Sequence, residues 1–314
     1  MSLLFICLSL SSEVITLNPY AGYISYDSDI SKSSKEKSTL GGAYTSIGTL
    51  KYLVEFNYMY MSTQYKQDAN ISEDLVQHDI ALAYAQYFDN VMLRAGGHYI
   101  ETNDNLLGNG FVAILGIGGY NFFQADKLSY GLEFYYSFYE NRLDEETLNQ
   151  SLNAAPLFTK RAKQKPPSQP AQPSSGNQIS NVSIIQITPY LAYFTSINPS
   201  MSNNLSIKLN YQLIDNYIQD QYLSFEMSDT FYYNNLFIIL SAYGGEMRSG
   251  VKDRGMTVYN SLDLMKTGYG ANLGYYITKG FTVGVSYSRN NYVEEFLTKD
   301  TTNNIALLNM NYRF

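Results

Sequence analysis

The chain has 314 residues, of which 31 are Tyr and 16 are Phe, with no Trp and only 16% charged residues. This composition favours β-strands, and no apolar run reaches the roughly 20 residues of a membrane-spanning helix, so a place in a membrane would require a closed barrel in which every backbone group is paired. The net charge of -7 argues against nucleic acid as a partner, because phosphate binding needs clustered Lys and Arg.

Residues 1–17 are predicted to form a lead that precedes the first strand. The apolar stretch 3–10 is typical of the core of a secretory signal peptide, and Ser9 and Ser11 are the small residues expected before a cleavage site. A charged leader is missing, so a short buried strand stays an alternative. Cys7 is the only cysteine of the chain. A lipoprotein anchor at Cys7 is disfavoured by the bulky residues before it, and its removal with a leader would suit export through an oxidising compartment.

From residue 18 to residue 314 the hydrophobic pattern has a period of two, which is typical of strands with one apolar face. The segments that show it lie near 18–27, 38–48, 52–60, 80–84, 91–99, 111–117, 128–138, 182–195, 205–213, 223–231, 236–242, 269–277, 281–287 and 306–314. We therefore predict an all-β fold, a transmembrane antiparallel up-and-down β-barrel of about 14 strands. A soluble β-sandwich or β-helix is the alternative, and the long strands with Tyr at both ends argue against it.

The connections between these strands alternate between short and long. Short turns near 47–50, 88–90, 122–127, 196–203, 233–235 and 278–280 are predicted to be periplasmic. The others, near 28–37, 63–76, 102–109, 141–181, 216–220, 247–267 and 292–301, are predicted to be extracellular. Within 141–181, the stretch 160–181 is rich in Pro, Gln and Ser and is expected to be disordered or extended. Its basic cluster, Lys160, Arg161, Lys163 and Lys165, is interpreted as a solvated linker, with contact to lipopolysaccharide phosphates as the alternative.

The end of the chain places Leu308, Met310, Tyr312 and Phe314 on one face of the last strand. This pattern resembles the C-terminal β-signal of bacterial outer-membrane β-barrel proteins. The resemblance implies a Gram-negative outer membrane, recognition by the barrel-assembly machinery, and contact with lipid and lipopolysaccharide. It indicates no particular transporter or enzyme family.

The opposite, lumen-facing positions carry charged and amide side chains. The predicted pore-lining residues are Lys51, Glu55, Arg94, His98, Glu133, Lys208, Glu226 and Arg313, accompanied by Asn57, Asn210, Gln212, Asn272 and Asn309. Mixed charges of this kind suit a water-filled pore with a field across its constriction. Alternatively, these charges pair across the lumen and stabilise the wall. The near balance of signs does not indicate which ions would pass.

The two histidines do not form a pattern typical of catalysis. His78 and Asp79 are adjacent, so in a strand they point to opposite faces. His98 is followed by Tyr99 and Ile100, whereas outer-membrane phospholipases have a serine two residues after the histidine. The sequence also lacks a set of zinc ligands, so no cofactor or metal is expected.

These observations predict a non-enzymatic, porin-like channel that allows passive diffusion of small hydrophilic solutes or ions. One alternative is a surface adhesion or recognition barrel, in which the loops 141–181 and 247–267 bind a partner and the lumen is blocked. A second alternative is an outer-membrane hydrolase, a lipase or protease, that would depend on His98.

Overall fold

The computed structural model describes residues 13–69, 73–103, 107–120, 127–141, 181–215, 220–259, 263–294, 297 and 299–314. The lead at 1–12 and most of the loop 141–181 therefore lie outside the described residues. Within them, fourteen long antiparallel strands close into one barrel, and neighbours in sequence are neighbours in the sheet. This architecture confirms the predicted fold class and strand number. No helix in the described part of the chain is long and apolar enough to cross a membrane.

The strands of the barrel are 12 to 17 residues long. They are β1 Val14–Tyr26, β2 Lys35–Gly48, β3 Tyr52–Tyr65, β4 Leu75–Phe88, β5 Val91–Thr102, β6 Leu107–Tyr120, β7 Lys127–Asn141, β8 Val182–Asn198, β9 Met201–Asp215, β10 Gln221–Tyr233, β11 Leu236–Met247, β14 Leu264–Thr278, β15 Phe281–Val293 and β16 Asp300–Arg313. Two short strands, β12 Val251–Lys252 and β13 Thr257–Val258, form a separate sheet between β11 and β14.

The barrel closes where the first strand meets the last. Thr16 of β1 is paired with Arg313 of β16, while Val14 of β1 is paired with Gly48 of β2. Strand β1 thus begins ahead of Asn18, where the sequence pattern placed the start of the barrel. Closure leaves no strand edge unpaired, which is the condition for a sheet to lie in hydrocarbon.

Strict alternation divides the wall into an outer and an inner surface. Leu82, Leu115 and Leu132 are each about half exposed on the outside, where they belong to a continuous apolar belt. Exposed aromatic residues flank this belt at both ends of the strands. They include Tyr60, Tyr99 and Phe138 near the long connections and Tyr84, Tyr130 and Tyr193 near the short turns. Such a belt between two aromatic girdles fits a bilayer.

The connection between β11 and β14 folds into the barrel. We call its residues 248–259 the inward loop. Strands β12 and β13 pair within it, and a 3-10 turn at Asp253–Gly255 forms its tip. Gly255 has φ of +91°, and a Cβ at this position would overlap Ile114 of β6. A glycine is therefore required by both the left-handed backbone and the close approach to the wall.

Candidate channel lumen

The apolar side of the inward loop is buried against the lumen face of β5 to β10. Val251 and Val258 belong to one buried cluster with Ile100, Val112, Ile114, Tyr135, Tyr139, Val182, Ile184, Ile214 and Tyr222. Met256 packs on Ala81 and Ala83 of β4, where the small side chains leave room for it. Burial of these apolar groups stabilises one position of the loop inside the lumen.

Two glutamines of the wall hold the loop by pairing with its backbone. The Gln186 amide donates to the Val251 carbonyl over 2.8 Å and accepts from the Val251 N–H over 3.0 Å. The Gln212 amide forms the same pair of bonds with Arg248, at 3.0 and 3.1 Å. Gln212 also donates to Gln186 over 3.0 Å. The two side chains thereby satisfy buried peptide groups as a neighbouring strand would.

Three side chains of the wall hold the tip of the loop by hydrogen bonds to its successive backbone carbonyls. Arg94 donates to the Arg254 carbonyl, His98 Nδ1 lies 2.9 Å from the Gly255 carbonyl, and Asn57 Nδ2 donates to the Met256 carbonyl over 2.9 Å. A carbonyl only accepts hydrogen bonds, so Nδ1 of His98 is the donor. The side chains come from β3 and β5, which are separated by β4 in the sheet.

The charged side chains of this wall are largely paired. Arg94 Nη2 lies 2.7 Å from Glu55 Oε2, and the Tyr44 hydroxyl donates to Glu55 over 2.8 Å. Both charged groups of the Arg94–Glu55 pair are buried. The two carboxylate oxygens of Glu55 thus face a cation and a hydroxyl, which offsets part of the desolvation cost of the pair.

Two further ion pairs lie in the same half of the lumen. Glu133 accepts from the Tyr135 hydroxyl over 2.7 Å and lies 3.9 Å from Lys208 Nζ. Glu226 lies 3.3 Å from Lys252 Nζ on the inward loop. Pairing, which was the alternative interpretation of these charges, is what the side-chain contacts support.

The predicted pore-lining residues fall into two groups. Glu55, Arg94, His98, Glu133, Lys208 and Glu226 lie on the lumen face of β3 to β10 and surround the inward loop. Lys51 instead lies exposed in the turn between β2 and β3, and Arg313 lies exposed at the end of β16. These two residues are at the rim of the barrel, remote from the loop.

The sequence analysis missed several residues that contribute to this site. Asp79 and Gln77 are buried on the lumen face of β4, where Gln77 Nε2 donates to Asp79 over 2.8 Å. His98 Nε2 lies 3.6 Å from Asp79 Oδ2. The outward set Ile80, Leu82 and Tyr84 implied that Asp79 points inward, but nothing in the pattern indicated its partners. The period-two pattern also gave no indication that residues of the inward loop lie inside the barrel.

The predicted separation of His78 from Asp79 agrees with the geometry. His78 Nδ1 lies 3.0 Å from the Tyr58 hydroxyl on the outer surface, and its ring centre is 5.1 Å from that of Tyr60. His98 is covered by the inward loop and is fully buried. Among the described residues, no group of three His, Cys, Asp or Glu side chains is placed to hold a metal ion.

The wall formed by β14, β15, β16, β1 and β2 borders the accessible part of the lumen. Its lumen-facing residues are polar or small with a few aliphatic ones, and the following are partly exposed: Gly270, Asn272, Ser286, Ser288, Leu307, Asn309, Tyr20 and Leu40. On the covered wall, by contrast, Ala81, His98 and Val112 are 0% exposed. The open space inside the barrel therefore lies between the inward loop and this second wall.

At the end with the long connections, a cover lies over the open space. Met247, Met265 and Tyr292 form a buried cluster there. Lys35 Nζ lies 2.5 Å from Asp263 Oδ2, and the Glu294 carboxylate accepts from Ser33 Oγ over 2.8 Å. These contacts join three connections across the mouth: the one between β1 and β2, the inward loop's return to β14, and the one between β15 and β16.

Comparisons with known proteins show similarity in fold. No family model matches the chain, and no curated protein is significantly similar to it in sequence. The solved structure of the CymD monoaromatic hydrocarbon channel has a TM-score of 0.52 at 7% identity, covering 96% of this chain and 89% of that one. For the Ralstonia pickettii toluene transporter TbuX the TM-score is 0.50 at 8% identity, with 96% and 90% covered.

The Acinetobacter baumannii outer-membrane protein Omp33 is a further match, with a TM-score of 0.46, 10% identity, and coverage of 96% and 97%. At identities of 7% and 8%, the likeness to the first two structures shows the fold alone. The closed barrel, its apolar outer belt and the first two of these likenesses define the class: the protein is an integral β-barrel of the bacterial outer membrane.

Proposed function

We propose that the protein is a passive channel for small hydrophilic solutes. The observation that carries this proposal is the accessible space between the inward loop and the second wall. This space is bordered mainly by Asn, Ser and Tyr side chains and by glycines, together with Leu40 and Leu307. Groups of this kind replace the water around a polar solute. No residue is required to do chemistry.

The inward loop acts as the constriction. It occupies the lumen against β3 to β10 and is held by hydrogen bonds to Gln186, Gln212 and Arg94. A barrel of this strand number is wider than its own side chains can fill. The loop therefore narrows the passage, and the Lys35–Asp263 pair lies at its mouth.

The first experiment compares the refolded protein with a variant in which residues 249–258 are replaced by Gly-Gly. Heat-modifiable gel mobility verifies that each barrel is folded. We expect ohmic single-channel steps in a planar bilayer for the wild type and steps several-fold larger for the variant, because current scales with the open cross-section. Silence from both folded proteins would exclude a channel and direct attention to the outer loops.

The alternative functions have less support among the described residues. Part of the loop 247–267 lies inside the barrel, so that part offers no outer surface to an adhesion partner. A hydrolase would need His98 beside a nucleophile, whereas its ring nitrogens face the Gly255 carbonyl and the Asp79 carboxylate. The recognition role of the loop 141–181 depends on residues outside the described ranges.

We further propose that the last strand is recognised by the barrel-assembly machinery, and that the outer belt contacts lipid and lipopolysaccharide. The Tyr312 ring stacks on Phe281 of β15 with centres 4.6 Å apart, and Leu308 is exposed on the outer face. This apolar face is available to a partner until the barrel lies in the membrane.

A further inference from the structure

The charges inside the barrel are confined to one half of its wall. Among the described residues of the barrel strands, the charged side chains that face the lumen are Glu55, Asp79, Arg94, Lys127, Glu133, Lys208 and Glu226, and they lie on β3 to β10. Between the ends of β14, β15, β16, β1 and β2, the described lumen-facing residues are uncharged. The inward loop covers the charged half and leaves the uncharged half open.

The charges that remain near the open space offset one another. Glu55, Glu133 and Glu226 each lie within 4 Å of a cation, at 2.7, 3.9 and 3.3 Å. At the tip of the loop, Asp253 and Arg254 are both exposed and carry opposite signs. Together these two residues add no net charge to the tip, which limits the field at the far side of the lumen. A solute on the open path therefore meets dipoles and hydrogen-bonding groups rather than a net charge.

We infer that this channel selects small uncharged solutes that carry hydroxyl or carbonyl groups, an inference that rests on the proposed channel function. An ion that sheds water in a narrow passage needs a compensating charge, whereas a neutral polar molecule needs only hydrogen bonds. Asn309 and Ser288 supply donors and acceptors along the open wall, and Leu307 and Leu40 on the same wall would contact the apolar face of such a molecule. Asn309 leans across Gly284, so its amide lies toward the lumen.

The test is liposome swelling with three solutes of matched size: a neutral pentose, the corresponding aldonate anion and the corresponding amino-pentitol cation. We expect the neutral pentose to enter at least about tenfold faster than either ion, the ratio produced by ~1.4 kcal/mol of additional barrier. Equal or faster entry of either ion would overturn the inference while leaving a channel in place. No entry of any solute through folded protein would instead overturn the channel itself.

Isosteric Asn→Asp variants locate the path that solutes take through the lumen. Asn309→Asp adds a negative charge to the open wall, so the cation should gain and the anion should lose swelling rate. Asn210→Asp adds the same charge to the covered wall, where Asn210 is buried beside Glu226. This variant should leave the ratio unchanged. A shift as large as that of Asn309→Asp would show that solutes pass along the covered wall, and the inference would be wrong.

A second control tests whether overall charge, rather than the position of the charge, causes the shift. Asn304 lies on the outer face, where it accepts from the Tyr287 hydroxyl over 2.7 Å. Asn304→Asp adds the charge outside the barrel and should leave all three rates unchanged. If Asn304→Asp alters the ratio as Asn309→Asp does, the effect reflects overall charge rather than the path, and the assignment of the open wall fails.

Discussion

Arg94 is the side chain that connects the wall to the tip of the inward loop. Its guanidinium faces the Glu55 carboxylate on one side and the Arg254 carbonyl on the other. The planar fork of Arg can serve two acceptors in fixed directions, which Lys cannot do. A lumen-facing Arg was predictable from alternation along β5, but its backbone partner, which comes from a loop 160 residues later, was not.

We predict that Arg94→Met increases the single-channel conductance by releasing the tip. The substitution leaves Glu55 buried without its cation, at a cost of about 3–5 kcal/mol, and removes the donor to the Arg254 carbonyl. Planar-bilayer recording of folded protein measures the result. Arg289→Met is the control. Arg289 is exposed, so its substitution removes the same charge without affecting the loop. Conductance steps identical to those of the wild type would show that the tip is held without Arg94.

At the scale of the element, the inward loop is held through its backbone N–H and C=O groups, as a strand is held by a neighbouring strand. Gln186 and Gln212 stand on neighbouring strands and pair with peptide groups of residues 248 and 251. Each bond contributes about 0.5–1.5 kcal/mol net, and the buried peptide groups would lose much more if left without partners. The loop is thus fixed by a small number of specific bonds together with the burial of Val251 and Val258.

We predict that the double variant Gln186→Leu, Gln212→Leu loosens this loop while the barrel persists. The Val251 and Arg248 amides lose their acceptors, so their hydrogen exchange should become faster by two orders of magnitude or more, given ~3 kcal/mol of lost protection. Hydrogen exchange with mass spectrometry measures this change. Thr282→Val serves as the control, because Thr282 is buried on the lumen face of β15, in the wall opposite the loop. Unchanged protection of the two amides would contradict the role given to the glutamines.

Sequence pattern predicted the strands well and the inward loop poorly, for a physical reason. In a strand such as β4, each side chain faces either lipid or lumen, so the outward series Ile80, Leu82 and Tyr84 is visible in the sequence itself. The fate of Val251 and Val258 depends instead on a space that exists only after closure, with Ala81 and Ala83 lining it. Short strands such as β12 offer too few residues for a period to be detected.

At the scale of the whole molecule, the end of the chain closes the barrel. The Phe314 N–H donates to the Ile15 carbonyl over 2.9 Å, next to the pairing of Thr16 with Arg313. The Phe314 side chain is 74% exposed, so its burial adds little to the folded barrel. We therefore expect the Phe314 side chain to contribute to assembly of the barrel rather than to its stability.

We predict that Phe314→Ala lowers the amount of folded barrel in the outer membrane several-fold without lowering the stability of molecules that do fold. Cell fractionation and heat-modifiable mobility measure the first quantity, and urea unfolding of refolded protein measures the second. Phe88→Ala removes an aromatic ring that is 53% exposed beside the short turn between β4 and β5, and it should leave assembly unchanged. A parallel loss in both variants would assign the effect to the aromatic girdle instead of the terminal residue.

The pairing of Thr16 with Arg313 also sets the order of events in folding. Nearly the whole chain must be present before this contact can form, and closing a flexible segment of about 300 residues costs roughly 5 kcal/mol in chain entropy. Hairpins such as β14–β15 form from residues close in sequence and bear little of that cost. The seam between β1 and β16 should therefore be the last part of the sheet to form, and the rate-limiting step should be sensitive to substitutions there and insensitive to those in the hairpins.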